Sequence, residues 1–253
     1  MDVVMIGSGN TATVLARLIK KSNHNLLQVI SRNIEHARLL AQEMDCSFTD
    51  DISDINKQAS IYIVAVSDTA IDDIAEKIQL DEKLIVHTCG AVHKDVLKNS
   101  SKHYGVLYPL QSLRKENPHI PPVPFLIDGN NGLARKEISQ FARTLSPLVS
   151  EANDEERMKL HVSAVVVSNF TNHLYALTKE FCDAEGVDFS LLLPLIHEVS
   201  LRLTHYPPAE MQTGPASRGD IQTIEAHKEL LEKYPQLQNI YHMMSESIMQ
   251  FIK

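Results

Sequence analysis

The chain of 253 residues lacks any apolar run of about eighteen residues or more, so no part of it reads as a membrane-spanning helix. It also lacks a basic excess: 24 Lys and Arg stand against 32 Asp and Glu, a net charge of −8. The imbalance lies in one half. Residues 1–150 carry 16 basic and 17 acidic side chains, whereas residues 151–253 carry 8 and 15. An acidic second half argues against nucleic acid and against anionic membrane surfaces as partners. Cysteine is scarce as well, with Cys46, Cys89 and Cys182 odd in number and scattered. Such thiols fit reduced, packed residues and offer neither a disulfide framework nor metal-ligand spacing, so no metal is expected. The first strand pattern starts almost at Met1, which leaves no room for a signal peptide and points to a cytoplasmic protein.

What is present is a glycine turn in a telling context. Val3-Val4-Met5-Ile6 runs into Gly7-Ser8-Gly9-Asn10-Thr11-Ala12, a G-x-G-x-x-A spacing between a strand pattern and a helix pattern over residues 11–21. Such a turn receives a dinucleotide. Gly7 permits the tight turn, Gly9 lets a pyrophosphate approach the backbone, and the small Ala12 lets the helix pack on the strand. The unpaired N–H groups of Asn10, Thr11 and their neighbours at the helix start face the phosphates. The second strand, residues 26–30, ends in Ser31-Arg32-Asn33. It has no acid at its tip to hold the ribose 2′-hydroxyl of NAD. Arg32 suits a 2′-phosphate and the adenine face, and Ser31 and Asn33 can donate to the same phosphate, so the expected cofactor is NADP.

Strand and helix patterns alternate through the first half, as in a parallel sheet covered on both faces. A helix is expected over 33–44 with Asn33 as its cap, strands over 60–66, 84–87, 105–108 and 125–127, and a closing helix over 133–145. Ligands of such sheets lie beyond the carboxyl ends of the strands. One exit, Val66-Ser67-Asp68, offers a cofactor contact, although Asp68 would equally serve as a helix cap. The next, His87-Thr88-Cys89-Gly90, is a turn of small residues, with Thr88 facing the cofactor and Cys89 and Gly90 facing substrate. His87 is either a proton donor there or, as is commoner at a strand end, a histidine satisfied by backbone.

From about residue 153 only helical patterns follow, which divides the chain into domains 1–152 and 153–253. An acidic first turn opens a helix reaching about residue 183, and Val162 to Val167 predicts a buried central rod. His161, Asn169 and His173 recur on it at multiples of four, beside Ser168 and Asn172. Two readings stay open: a network with neighbouring helices, or a polar wall in an interdomain cleft that orients a carbonyl or imine. Further on, Arg218 in Thr213-Gly214-Pro215-Ala216-Ser217-Arg218-Gly219-Asp220 suits an ion pair clamping a helix junction, with a substrate anion as the alternative, and Asp220 suits a helix cap. Leu191, Leu195 and Val199, and Ile240, Met244, Ile248 and Phe251, form apolar stripes too large for a domain of this size to hide, so a homodimer is expected.

The segments Gly7-Ser8-Gly9-Asn10, Val64-Ala65-Val66-Ser67-Asp68, His87-Thr88-Cys89-Gly90-Ala91, Gly105-Val106-Leu107-Tyr108-Pro109-Leu110-Gln111-Ser112, Ser168-Asn169-Phe170 and 213–220 resemble a bacterial family of NADP oxidoreductases over nearly the whole chain. The resemblance implies a Rossmann-like, doubly wound α/β domain followed by an all-helical C-terminal domain. It implies a nicotinamide cofactor and names no substrate. The architecture is similar to that of pyrroline-5-carboxylate reductase, the β-hydroxyacid dehydrogenases and coenzyme F420-dependent NADP reductase, whose members commonly pair through the helical domain. Three positions depart from the usual pattern: Ser67 for proline, Cys89 for serine and Tyr108 for histidine. The last two weigh against an obligatory catalytic role at those positions. The lysine acid of the β-hydroxyacid dehydrogenases has no counterpart, because Val165 lies one turn before Asn169.

The expected function is hydride transfer between NADP(H) and a small carbonyl or imine, with Asn169 orienting the substrate and His161 or His173 donating the proton. A different class, an NADP-binding sensor without catalysis that acts through a partner, is distinguished by binding without turnover. A methyltransferase is disfavoured by the basic Arg32 where a ribose-binding acid would stand.

Overall fold

Strands β1 (Asp2–Ile6) and β4 (Ile61–Val64) run parallel at the middle of one sheet, with Ile6 opposite Val64. Both are apolar and buried on both faces, as strands covered by helices on either side must be. Beyond β1 lie β2 (Asn25–Ile30) and β3 (Ser47–Thr49). Beyond β4 lie β5 (Leu84–His87), β6 (His103–Pro109), β7 (Phe125–Gly129) and β8 (Val149–Glu151). The order β3-β2-β1-β4-β5-β6-β7-β8 reverses direction between β1 and β4. That reversal is the switch point at which a doubly wound sheet opens a crevice past its strand ends. Helices α1 (Asn10–Lys21), α2 (Ile34–Met44) and α4 (Gly132–Leu145) share one core with Val3, Met5, Ile61 and Ile63. Helix α3 (Ile71–Lys77) packs on the opposite face with Val4, Ile6, Tyr62 and Val64.

This computed structural model describes residues 1–251 and divides into two compact units, Met1–Asn169 and Phe170–Lys253. The division falls later than the expected boundary at 152/153, because α5 (Asp154–Ala164) belongs to the first unit, held there by its first turn. The sheet is also not wholly parallel. β7 runs antiparallel to β6, with Leu107 opposite Ile127. The link between them, residues 110–124, holds four prolines and no helix, whereas a parallel return needs a crossover, usually helical. The edge strands β3 and β8 were too short to leave a period in the sequence.

The expected single helix to residue 183 is three segments: α5, a π turn at Val165–Phe170 and α6 (Thr171–Ala184). Its apolar middle is not buried. Val162, Val166 and Val167 are 59%, 52% and 72% exposed. An apolar run shows what a helix face can bury, and no part of the described chain covers this one. The second unit continues with α7 (Leu193–Arg202), the single turn α8 (Pro215–Arg218), α9 (Ile221–Leu230) and α10 (Pro235–Phe251). Gly214 and Gly219 bracket α8 with φ of 105° and 67°, which only glycine adopts freely. Asp220 caps α9 by accepting from the Thr223 N–H, as expected. No helix among the described residues is long and apolar enough to cross a membrane.

Candidate functional site

The turn after β1 opens into a cavity of about 750 Å³, within the range of small-molecule sites. Gly7, Ser8, Gly9, Asn10 and Thr11 line it on one side, Ser31 and Arg32 at the tip of β2, and Val66 and Ser67 past β4. Gly7 has φ +124°, and a Cβ there would overlap the carbonyl oxygen of Ala65, so the turn admits no side chain. At Gly9 nothing lies within 4 Å of where a Cβ would stand, which leaves the approach to the helix start open. No side chain caps α1 and no acid sits in its first turn, so its leading N–H groups remain available to an anion. The Ser8 hydroxyl donates to Ser31 Oγ at 2.7 Å and ties the glycine turn to the tip of β2. Among the described residues Arg32 has no ion-pair partner, and it is exposed. A pyrophosphate at α1 and a 2′-phosphate at Arg32 therefore fit the residues that are present.

Ala12 is fully buried and packs α1 on the sheet, the part its small side chain was expected to play. Three further expected cofactor residues have other roles. Asn33 spends its side-chain oxygen on capping α2, accepting from His36 N–H at 3.0 Å. The Thr88 hydroxyl is buried and donates to Val64 O at 3.4 Å, so it does not face the cavity. Asp68 caps no helix; it is exposed, in the short turn after β4, and acts electrostatically on Tyr108 and Cys89. The cavity also has walls that the sequence did not disclose: Asp50 to Ile52 after β3, Ala70 just before α3, and Asp73, Ile74 and Lys77 on α3. Spacing from the glycine turn cannot reach these, because the fold brings them there from other strand exits.

Beside this cavity the exits of β5 and β6 meet α5. The Cys89 thiol lies on the Val66 carbonyl, at 3.9 Å, which joins this cluster to the cavity wall. The Tyr108 hydroxyl and His161 Nδ1 are hydrogen-bonded at 2.8 Å, their rings edge-on with centroids 5.7 Å apart. Gly90 closes against both. A Cβ there would overlap His161 Nδ1 and stand 3.0 Å from Tyr108 Cζ. Burial, then the Asp68 carboxylate, push the Tyr108 phenol above its usual range, with Arg157 pulling it partly back. The same order, burial and then Asp68, pushes up the Cys89 thiol, so it is a protonated, packed residue.

A buried charge network holds this region. Asn153 and Glu156 form a capping box at the start of α5, which aims Asp154 and Arg157 at the loop after β5. Arg157 is 1% exposed. Its guanidinium donates to Gly90 O at 3.3 Å, to Val92 O, and to Asp154 Oδ1 at 2.6 Å. Lys94 reaches the other Asp154 oxygen at 2.8 Å and Asp128 at 3.0 Å. Burial alone would raise the Asp154 carboxyl, but hydrogen bonds from Lys94 and Arg157 outweigh it and hold it at about 2. Asp154 and Arg157 stand three apart, the spacing of a helical ion pair, which is the one signal of this clamp that the sequence carries.

His87 is fully buried; its Nδ1 accepts from Cys89 N–H at 3.2 Å and its Nε2 has no partner among the described residues. Burial, followed by the nearby Arg157, pushes it down to about 3, so at neutral pH it is an uncharged strand-end histidine. Because its folded value lies below the ordinary 6.5, its contribution to stability is complete above that value and is lost as pH falls toward about 3. Unfolding by urea should show stability declining across this interval. In His87→Asn the slope should be shallower by one proton, about 1.4 kcal/mol per pH unit. An identical slope in the variant would refute the assignment.

The remaining expected residues are dispersed. Asn169 is exposed within the π turn and makes no side-chain hydrogen bond among the described residues. His173 is exposed on α6, its Nε2 3.4 Å from Gln236 Nε2. Neither forms the sealed network that was one reading of the stripe. Arg218 is exposed and has no ion pair among the described residues, so it does not clamp the helix junction; the glycine-bracketed turn and the Asp220 cap shape that junction instead. No group of three or more potential metal ligands occurs among the described residues.

Residues 2–90 match the family model described as NADP oxidoreductase, coenzyme F420-dependent, and residues 123–248 match a domain of unknown function, DUF2520. A Bacteroides fragilis protein described as a candidate NADP oxidoreductase is 35% identical over 98% of both chains, with a TM-score of 0.93. The chain belongs to this NADP oxidoreductase family. An imine reductase from Myxococcus stipitatus in complex with NADP+ is 13% identical over 100% of this chain and 93% of its own, with a TM-score of 0.65. A reductive aminase from Aspergillus terreus in complex with NADPH and ethyl-5-oxohexanoate is 11% identical over 98% and 93%, with a TM-score of 0.73. These two share the fold. No curated protein matches the chain.

Proposed function

We propose that this NADP oxidoreductase binds NADP(H) in the cavity past β1, β2 and β4 and reduces a small carbonyl or imine beside the β5 exit. The observation that carries the reading is the continuity of the two places. Val66 lines the dinucleotide cavity while its carbonyl supports Cys89, next to Gly90, Tyr108 and His161. Bound NADPH supplies a hydride from C4 of its nicotinamide. The chain's own part is to hold the pyrophosphate at the start of α1, to read the 2′-phosphate with Arg32, and to offer a proton from the Tyr108–His161 side. Asn169 is assigned the role of orienting the substrate, since π turns recur at functional positions. Following NADPH absorbance with 2-keto acids, aldehydes and cyclic imines tests the proposal. Turnover with one of them is expected; tight NADPH binding with no turnover across the panel would replace the enzyme by a redox-sensing module.

We further propose that the chain acts as a homodimer. Leu191, Leu195 and Val199 are 74%, 58% and 45% exposed, and Met243, Met244 and Phe251 are 68%, 50% and 71% exposed. Leu191 lies in the turn before α7 rather than in the helix. Monomeric proteins seldom leave so much apolar area to water, and a two-fold pairing is the commonest way to cover it. Sedimentation at micromolar concentration should give twice the chain mass of 28.4 kDa; the single mass would reject the dimer.

A further inference from the structure

We propose that Tyr108 and His161 form one proton-sharing unit in which the phenol hydroxyl delivers the proton and His161 resupplies it. The inference rests on the reductase reading and goes beyond it by naming the delivering atom. The two groups meet at 2.8 Å, and Gly90, where any side chain would strike His161 Nδ1, lets the β5 exit close against their bond. A side chain at position 90 would force the pair apart, so three separate chain segments are fitted to this one hydrogen bond.

The chemistry of the pair follows from what each group can donate. With neutral His161, the phenol donates to Nδ1 and the ring carries its proton on Nε2. Its hydroxyl proton is then committed and unavailable to a substrate. When the imidazole gains a proton, Nδ1–H donates to the phenol oxygen instead, and the phenol O–H is released to point elsewhere. In the reducing direction a new C–H bond forms at the carbon that receives the hydride, and the C=O or C=N π pair moves to the heteroatom. That heteroatom takes the phenol proton, the phenol oxygen takes the Nδ1 proton, and the pair regains one proton from water. The charge balances at each transfer, so no free phenolate accumulates.

The neighbours favour this division of labour. Burial and Asp68 keep the phenol protonated, Cys89 is held as a thiol by burial and the same carboxylate, and buried His87 stays neutral. Arg157, the cation that acts on Tyr108, is bound to Asp154 and to two backbone carbonyls, so it is held in place rather than free to donate a proton. An imidazole is the side chain whose ordinary chemistry exchanges protons near neutral pH.

Ring-nitrogen NMR shifts of the full-length protein test the pairing without any substrate, with His161→Gln assigning the signal among the 12 histidines. Wild-type His161 should show one neutral tautomer, Nε2–H; Tyr108→Phe should give mixed tautomers while melting at nearly the same temperature. An unchanged tautomer in Tyr108→Phe would overturn the pair. On whichever of pyruvate, benzaldehyde and 1-pyrroline the wild type reduces, Tyr108→Phe should lower kcat by about 100-fold with the KM for NADPH unchanged. A full rate in that variant would overturn delivery by the phenol. If the wild type reduces none of the three probes, the reductase reading loses support, and the tautomer measurement alone decides the pair.

Discussion

Replacing Arg157 by methionine is expected to destabilise the first unit by about 3–5 kcal/mol, the scale for breaking a buried, hydrogen-bonded ion pair. Methionine fills a similar volume, but it leaves the Gly90 and Val92 carbonyls without their donor and Asp154 with only Lys94 and the His93 ring. Arg157→Lys should recover little, because an ammonium lacks the planar fork that reaches both carbonyls and the carboxylate at once. Urea unfolding reads the loss directly, and a change below about 1 kcal/mol would show that the clamp is redundant. The same variant should loosen the loop that carries Gly90 against Tyr108 and His161. The NMR signature of that pair is therefore expected to broaden even where the fold survives.

The second large effect concerns cofactor choice. Arg32→Ala should weaken NADPH by about 10–100-fold, the worth of a charge-assisted contact of about 1.5–3 kcal/mol, and leave NADH nearly untouched. The asymmetry is the test, since only the phosphorylated dinucleotide carries the group that Arg32 is proposed to meet. Equal losses for both cofactors in a direct binding titration would remove Arg32 from 2′-phosphate recognition. Asp50 and Asp51 line the same cavity, so an Arg32→Ala protein faces a 2′-phosphate with acids and no compensating charge at the tip of β2. That strengthens the expected preference.

Some kinds of structural information run along the chain and others do not. The glycine turn, the cap at Asn33 and the tip of β2 were legible because each depends on residues within a few positions of one another. Thr88 was misread for a local reason: a hydroxyl at a strand exit is equally able to face a ligand or its own neighbour strand, and here it bonds Val64 O. Arg218 was misread because a lone arginine between helices carries no record of whether an acid lies in reach. Tyr108 was set aside on the strength of a departure from a pattern, while its value lies in a partner 53 positions away.

The sequence by itself determined the doubly wound class, the glycine turn that opens the cavity past β1 and the helical character of the second half. These follow from short-range rules: alternation of strand and helix periods, and a turn in which only glycine can stand. Tertiary structure alone decided that β7 would run antiparallel, that α5 would join the first unit, and that Arg157, Gly90, Tyr108 and His161 would meet. The physical reason is the same in each case. Those outcomes depend on which distant groups become neighbours once the core has closed, and on the cost of leaving a buried charge or carbonyl without a partner. Neither quantity is a property of any one segment.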